Sequence, residues 1–333
     1  MRKMKLMNPN IEMLQNLIDN EKSSIQNLKN EIGKVVIGQN KMINKLLIGL
    51  ITGGHILLEG VPGLAKTLSI KTIAQTINAQ FKRIQFTPDL LPADLLGTLI
   101  YNQKKTNFTV RKGPIFSNII LADEINRAPS KVQSALLECM QEKQVTIGNK
   151  TYPLSNLFWV LATENPIEHE GTYPLPEAQI DRFMLKIKID YPSVDEEKRI
   201  IRQVIEKEEL IVNKVYNEDN VLALQEIVRK IHIDEKLIEY ITNITNATRY
   251  PEKQGLLSDL ISFGASPRAS IYLTLASKGH AFLEGRAYVI PEDIKAIAHD
   301  ILRHRIILSY EAEAEEKSTD EIIDVIFQQI QVP

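Results

Sequence analysis

Five short apolar segments alternate with helical patterns between residues 55 and 190. They cover residues 55–59, 82–86, 118–123, 157–163 and 184–189. Such alternation is typical of a parallel sheet with helices on both faces, because a crossover between parallel strands is long enough to hold a helix. The sequence therefore predicts an α/β domain built on a five-stranded parallel sheet.

A glycine-containing loop follows the first segment and precedes a helical pattern over residues 68–79. It reads Gly60-Val61-Pro62-Gly63-Leu64-Ala65-Lys66-Thr67. This segment offers backbone N–H groups, a helix N-terminus, an ammonium group and a hydroxyl group, in that order. Such a set of groups is suited to bind phosphate and magnesium. We predict that Lys66 reaches the β- and γ-phosphates and that Thr67 binds Mg2+. Ala65 replaces a glycine of the generic pattern, so the loop alone also fits a Gly-Pro turn with a solvated lysine.

Two carboxylates, Asp123 and Glu124, end the third apolar segment. Ligands of open α/β sheets bind at the carboxyl ends of the strands. We expect Asp123 to hold the magnesium ion through water and Glu124 to orient and polarise the attacking water. Taken alone, an acidic pair in this place is equally compatible with capping the next helix. The preceding loop favours the catalytic interpretation.

Four further polar residues are candidates for the same site. Asn165 follows the fourth segment and is expected to contact the γ-phosphate or the water, although an Asn-Pro turn is the alternative. Arg182 precedes the last segment and is suited to neutralise the charge of the transition state, also in the site of another subunit. The alternative is a surface ion pair between Arg182 and Asp181. Arg268 begins a helix, where a cation is unfavourable unless an anion binds it. Arg127 is assigned to an interface or a salt bridge.

Composition narrows the class of protein. The chain has 333 residues, which predicts two domains, and its 40 basic and 42 acidic residues offer no strong field for nucleic acid. The longest apolar stretch, residues 46–58, is interrupted by glycines and is too short to span a membrane. One cysteine, Cys139, fits a reducing cytoplasm, and the six histidines lack metal-ligand spacing, so no zinc is expected.

The pattern becomes helical after residue 192. A capping box formed by Ser193 and Glu196 opens one helix, and helical patterns follow over 219–231, 234–249, 267–283, 291–305 and 320–331. Amphipathic helices are also predicted over 10–33 and 39–50. We therefore predict an N-terminal helical extension (1–30), an α/β nucleotide-binding core (31–192) and a smaller all-helical lid domain with a C-terminal helix (193–333).

With these motifs in this order, the chain resembles the AAA+ ATPases, and within them the MoxR family. The matching stretches are residues 60–67, 123–129, 162–166, 178–183 and 264–269, and the resemblance extends over residues 30–310. An alanine before the loop lysine is what this family shows. The resemblance implies a P-loop NTPase fold of the AAA+ type, with ATP and Mg2+ as cofactors.

The resemblance also implies roles for single residues. Asn165 would be the sensor 1 residue, Arg182 the arginine finger and Arg268 the sensor 2 residue. Nucleotide contacts would come from residues 60–68, including Leu68, and on the adenine side from Val36, Ile37, Gly38 and Gln39. A β-rich stretch around 98–112 resembles a helix-2 insert, and a hairpin around 143–153, with its turn at Gly148-Asn149, resembles a pre-sensor-1 hairpin.

Members of the family form rings, usually hexamers, with the nucleotide between subunits. They act as chaperone-like ATPases that mature other protein complexes or insert cofactors into them, often with a partner that carries a von Willebrand factor A domain. The resemblance thus implies a homo-oligomeric ring, such a partner and a protein client, with no specific nucleic acid and no membrane span.

Three other functions stay open. One is an ATP-gated scaffold with little turnover, and another is a motor subunit like that of magnesium chelatase. The third is a nucleic-acid machine, against which the near-neutral charge argues, as does the absence from residues 98–112 of the Gly-Ala-Phe-Thr-Gly-Ala loop typical of transcription activators.

Overall fold

The computed structural model describes residues 9–103, 106–166, 171–205, 210–254 and 260–333. The predicted extension (1–30) and the predicted insert (98–112) each include residues outside these ranges, and His169 also lies outside them. The chain forms two compact units. The sheet unit contains Leu28–Leu46 and Gly53–Leu222, and the helical unit contains the described residues up to Asn27, Leu47–Thr52 and Ala223–Pro333. The domain boundary near residue 192 stays a prediction.

Helices and strands follow the predicted order. The strands are β1 (Ile56–Glu59), β2 (Phe81–Gln85), β3 (Gly97–Asn102), β4 (Asn107–Lys112), β5 (Ile119–Asp123), β6 (Gln144–Ile147), β7 (Lys150–Pro153), β8 (Trp159–Glu164), β9 (Leu185–Lys188), β10 (Ile261–Phe263) and β11 (Ile307–Leu308). The helices are α1 (Pro9–Val35), α2 (Asn40–Thr52), α3 (Lys66–Thr76), α4 (Pro92–Leu96), α5 (Ser130–Glu142), α6 (Glu177–Ile180), α7 (Val194–Ile205), α8 (Glu218–Arg229), α9 (Glu235–Arg249), α10 (Pro267–Leu283), α11 (Pro291–Leu302), α12 (Tyr310–Ala314) and α13 (Thr319–Gln329).

The sheet unit is built on one parallel sheet in the order β2-β5-β8-β1-β9. The predicted five-stranded parallel sheet with flanking helices is confirmed. In the register, Gln85 pairs with Asp123, and Leu58 pairs with Thr163. Because the strands run in one direction, their carboxyl ends share one edge of the sheet. The ends of β1, β2, β5 and β8 are therefore neighbours.

The core of the sheet unit fixes this register. Every residue of β5 is buried, as expected for a parallel strand that is covered on both faces. Val132, Leu136 and Leu137 of α5 belong to the same buried cluster, and full burial of one such side chain contributes about 1.5–3 kcal/mol. At the amino end of β8, Trp159 Nε1 donates to the carbonyl of Gly54 at 2.8 Å. The strands that carry the candidate site are thus firmly packed.

Two antiparallel hairpins interrupt the alternation of strands and helices. The predicted hairpin of residues 144–152 is observed as β6 and β7, with Gly148 in its turn at φ 62°. The predicted β-rich stretch around 98–112 contains β4 and its pairing partner β3. The side chains of β3 are largely exposed, so no buried face marked its bounds in the sequence.

The helical unit matches the helices predicted after residue 218. Side chains of Asp234, Ser266 and Ser318 accept hydrogen bonds from backbone N–H groups at the starts of α9, α10 and α13. The expectation of an all-helical second half missed one antiparallel pair, β10 with β11. These strands have three and two residues, which is too short for an alternating pattern. Across the described ranges, no helix is long and apolar enough to cross a membrane.

Candidate active site

The predicted phosphate-binding loop connects β1 to α3. Gly63 has φ 90°, and Ala65, which directly precedes α3, has φ 56°. A residue with a β-carbon pays about 1–2 kcal/mol for such a left-handed conformation, which explains why the generic pattern has glycine at this position. Ala65 makes no side-chain cap to α3. The loop backbone therefore takes a strained course that leads directly into the positive end of a helix dipole.

Lys66 lies within this loop. Its Nζ donates to the carbonyl of Gly60 at 2.6 Å. Burial lowers the pKa of Lys66 from its ordinary value, and the negative charges of Asp123 and Glu124 partly offset that effect. The ammonium group thus lies in the combined field of the loop and the two carboxylates.

Asp123 ends β5 and is buried. Its Oδ1 accepts a hydrogen bond from Thr163 Oγ1 at 2.6 Å, and its Oδ2 accepts one from Arg83 Nε at 2.8 Å. A second nitrogen of Arg83, Nη2, lies 2.6 Å from Oδ2. Both carboxylate oxygens therefore have strong donors from the neighbouring strands β8 and β2.

Glu124 follows Asp123 in a left-handed conformation, with φ 56°. Its backbone N–H donates to Thr163 Oγ1 at 2.8 Å. Its Oε2 accepts hydrogen bonds from Gln85 Nε2 at 2.7 Å and from Arg127 Nη1 at 3.0 Å. Arg127, which the sequence analysis assigned to an interface or a salt bridge, forms a salt bridge with Glu124.

These side chains surround one cavity of about 380 Å³ at the carboxyl edge of the sheet. Polar groups from three strands and the loop line it, and they come from Lys66, Thr67, Arg83, Asp123, Glu124, Thr163 and Asn165. Pro62, Gly63, Ala65 and Leu68 complete the lining. Asn165 is buried and directly follows β8, as predicted.

A second cavity of about 440 Å³ adjoins the first, since Gly63, Ala65 and Leu68 line both. Apart from these three residues, it is lined by Val35, Val36, Ile37, Gln39, Leu64, Pro192, Ile200, Gln203, Val204 and Leu210. The lining is mostly apolar, which suits a planar heterocycle beside a phosphate site. Three of the four residues assigned to the adenine side therefore line a cavity next to the loop. Gly38 lies between them at φ 70°.

Sequence reasoning missed three residues of this site. Arg83 and Gln85 alternate along β2, so both project from the same face of that strand. Thr163 is the penultimate residue of β8. Nothing in the sequence states that β2 and β8 flank β5, so the signal that would have found these residues is the strand order.

Magnesium has oxygen donors in the first cavity, the Thr67 hydroxyl and the Asp123 carboxylate. No group of three or more His, Cys, Asp or Glu side chains in the described part of the chain would hold a metal by itself. Magnesium commonly binds proteins through one or two side chains, with water and substrate phosphates completing its shell. The donor set therefore fits a magnesium ion that binds together with a phosphate ligand.

Two predicted site residues lie elsewhere. Arg182 follows α6 and precedes β9, so it lies at the amino edge of the sheet, and its Nη1 donates to the carbonyl of Leu137 at 2.9 Å. It does not line either cavity. Arg268 lies in the helical unit, in the first turn of α10, and its backbone N–H donates to Ser266 Oγ at 3.2 Å.

The chain matches two family models. The model of the ATPase family associated with various cellular activities (AAA) matches residues 55–185, and the AAA lid domain model matches residues 255–326. Chaperone MoxR1 of Mycobacterium tuberculosis is 46% identical over 306 residues, which covers 91% of this chain and 81% of that protein. Protein MoxR of Paracoccus denitrificans is 31% identical over 320 residues, covering 90% of this chain and 93% of that protein.

The fold is also that of a solved structure. A crystal structure of a candidate ATPase from Cytophaga hutchinsonii matches with a TM-score of 0.90 at 55% identity, over 97% of this chain and 98% of that one. The similarity to MoxR proteins extends over nine-tenths of the chain. By its fold, its phosphate-loop geometry and these relatives, the chain belongs to the MoxR family of AAA+ ATPases.

Proposed function

We propose that this ATPase hydrolyses Mg2+-bound ATP in a homo-oligomeric ring, a hexamer by family resemblance. The cycle would drive chaperone-like remodelling, maturation or cofactor insertion in a client protein complex. The observation that carries this proposal is the cavity at the carboxyl edge, which joins Lys66, Thr67, Asp123, Glu124 and Asn165 beside an apolar cavity.

In this proposal the loop amides and Lys66 bind the phosphates. Thr67 and Asp123 would hold Mg2+, which supplies positive charge where negative charge develops on the phosphates. Glu124 orients and polarises the attacking water, and Asn165 positions that water. Both hydrogen bonds to the Glu124 carboxylate use Oε2, so the proposal assigns the water to Oε1.

Arg182 supports a ring rather than a single subunit as the active species. It lies at the amino edge of the sheet, whereas the cavity lies at the carboxyl edge. A guanidinium group that is to neutralise charge on the γ-phosphate would then come from a neighbouring subunit. Arg268 keeps the sensor 2 role that the resemblance implies.

The partners are proposed from the relatives. Since Mycobacterium tuberculosis MoxR1 is named a chaperone, we propose a protein client, and from the family a partner with a von Willebrand factor A domain. We propose a cytoplasmic location and no specific nucleic acid. An ATP-gated scaffold with little turnover is the alternative, and two contacts favour it. Gln85 and Arg127 both donate to Glu124 Oε2, which leaves Oε1 of this carboxylate to orient the water.

The Glu124→Gln variant tests the chemistry. It should bind ATP as the wild type does but hydrolyse it at least about 100-fold more slowly, since positioned acid–base groups contribute about 10²–10⁴ in rate. Glu138→Gln makes the same change at an exposed position of α5 and should keep wild-type turnover. Normal turnover in Glu124→Gln would remove Glu124 from this role.

Mixing two inactive variants tests the ring. Arg182→Ala retains its own Glu124, and Glu124→Gln retains its own Arg182, so a mixed ring should recover turnover if the arginine acts across subunits. Turnover of the wild type should also rise with protein concentration. Mixtures that stay inactive would refute action of Arg182 across subunits, turnover in Arg182→Ala alone would place Arg182 outside the reaction, and a wild type that is inactive at every concentration would favour the scaffold.

A further inference from the structure

Arg83 occupies the metal-binding side of Asp123. The Thr163 hydroxyl has one hydrogen, which it donates to Asp123 Oδ1, while it accepts the backbone N–H of Glu124. The Oδ1 contact is therefore fixed by the packing of β8 against β5. Oδ2 is the carboxylate oxygen that Thr163 leaves open, and a metal or its bound water meets Arg83 there, because Arg83 Nε donates to Oδ2 and Nη2 lies 2.6 Å from it.

Arg83 is held in a way that permits release. Its side chain is 50% exposed, whereas that of Asp123 is 12% exposed. Its other hydrogen bond, from Nη2 to Gln85 Oε1 at 2.7 Å, also lies at the exposed end of the edge strand β2. Water can replace both contacts without opening the core. The Arg83–Asp123 pair is thus an exchangeable ion pair in an otherwise fixed site.

Phosphate would be an alternative anionic partner for Arg83 in the cavity that this residue lines. It lines the same cavity as Lys66 and Thr67, where the phosphates are expected. A guanidinium group binds phosphate oxygens as well as carboxylate oxygens through paired N–H donors. Among the described residues, Asp123 is the carboxylate that pairs with Arg83, and a bound phosphate would offer Arg83 a second anion.

We propose that Arg83 competes with Mg2+ for the Asp123 carboxylate and so makes metal binding depend on nucleotide binding. Arg83 is a positioning residue in this scheme, because it acts through Asp123. In the absence of nucleotide, Mg2+ would encounter an Asp123 carboxylate whose charge is already balanced by Arg83. A metal-bound nucleotide brings phosphate oxygens to which Arg83 turns, and Asp123 is released to the metal. This inference rests on the proposed function, in which Asp123 holds Mg2+.

The test measures metal binding without relying on turnover. Binding of a fluorescent ATP analogue is titrated with Mg2+, and thermal unfolding is followed with Mg2+ alone. In Arg83→Gln, the half-saturating Mg2+ concentration should fall about two- to fivefold, the range that half-exposed charge pairs cover. Mg2+ without nucleotide should raise the unfolding temperature of this variant but not of the wild type.

Two variants separate competition from other effects. Arg83→Lys keeps the charge and should restore the wild-type metal dependence in large part. Arg127→Gln removes a comparable, partly exposed cation that pairs with Glu124 instead of Asp123, and should leave the half-saturating Mg2+ concentration near that of the wild type. An equal shift in Arg127→Gln would mean a general charge effect and would overturn the role of Arg83.

The failures of the two proposals differ. If the wild type binds the nucleotide with no dependence on Mg2+, the proposed metal chemistry is wrong, and the competition falls with it. If the wild type depends on Mg2+ but Arg83→Gln has an unchanged or raised half-saturating concentration, the proposed function stands and only the competition is refuted.

Discussion

Replacing Thr163 by valine tests whether this hydroxyl organises both carboxylates of the site. Thr163 is 1% exposed, and its Oγ1 donates to Asp123 at 2.6 Å and accepts from the Glu124 N–H at 2.8 Å. Valine has nearly the same shape but no hydroxyl. The variant therefore removes two hydrogen bonds without opening a cavity, and it takes their partner from a buried carboxylate oxygen and a partly buried N–H.

The expected cost follows from these two contacts. A hydrogen bond to a charged group contributes about 1.5–3 kcal/mol, and a neutral one about 0.5–1.5 kcal/mol. The added methyl group recovers about 0.8 kcal/mol through burial. We expect the Thr163→Val variant to lose about 1–4 kcal/mol of unfolding free energy. Turnover should also fall, because the lost N–H contact helps to hold Glu124 at φ 56°.

Thr163→Ser is the matched control. It keeps the hydroxyl and removes one methyl group, which costs about 1 kcal/mol, and it should retain most of the turnover. The assays are urea unfolding of the nucleotide-free protein and steady-state ATP hydrolysis. If the valine and serine variants unfold at the same urea concentration and turn over equally, the hydroxyl does not organise the site and the reasoning fails.

Two further predictions concern the sheet unit. Burial lowers the pKa of His55 to about 4. The contribution of neutral His55 to the unfolding free energy is therefore complete above pH 6.5, and about 3 kcal/mol should be lost as the pH falls toward 4. Urea midpoints at several pH values check this loss, and His55→Gln should make the midpoint less dependent on pH. In Gly97→Ala, at φ 103°, the new β-carbon would lie 2.3 Å from the carbonyl oxygen of Arg111, and we expect a loss of about 2–5 kcal/mol in unfolding free energy. Gly171→Ala, at φ 69°, should lose only about 1–2 kcal/mol, because apart from its chain neighbours no heavy atom of the described residues lies within 4 Å of the new β-carbon, and equal losses would contradict the proposed clash.

Local patterns sufficed for the five strands of the parallel sheet and the loop after β1. The apolar run of β5 predicted a buried parallel strand, and the loop after β1 predicted a strand-to-helix turn for phosphate. Each of these two signals comes from a few neighbouring residues, whose polarity and backbone preferences determine the local structure directly. Ala65 illustrates the limit of such patterns. Its departure from the generic loop weakened the prediction, yet its left-handed backbone shows why glycine is usual there.

Long-range pairing could not be obtained in the same way. Arg83 lies forty residues before Asp123 along the chain, and only the placement of β2 beside β5 brings their side chains together. Likewise, β3 has no buried face, and its strand conformation depends on pairing with β4. In each case the missing information is which strands are neighbours, and single-sequence periodicity does not contain it.

The charges of the cavity explain why its ligand should bring its own cation. Four charged side chains line it, and Lys66 and Arg83 balance Asp123 and Glu124. A phosphate chain that enters alone adds more negative charge than one ammonium group neutralises, and a metal that enters alone finds Asp123 already paired with Arg83. Entry of both together would let Arg83 exchange a carboxylate for a phosphate while the metal pairs with Asp123, so neither charged side chain loses its partner. We therefore expect a site that is self-neutralised in this way to select the metal–nucleotide complex over either component, with the pairing of Arg83 and Asp123 as the contact on which that selection depends.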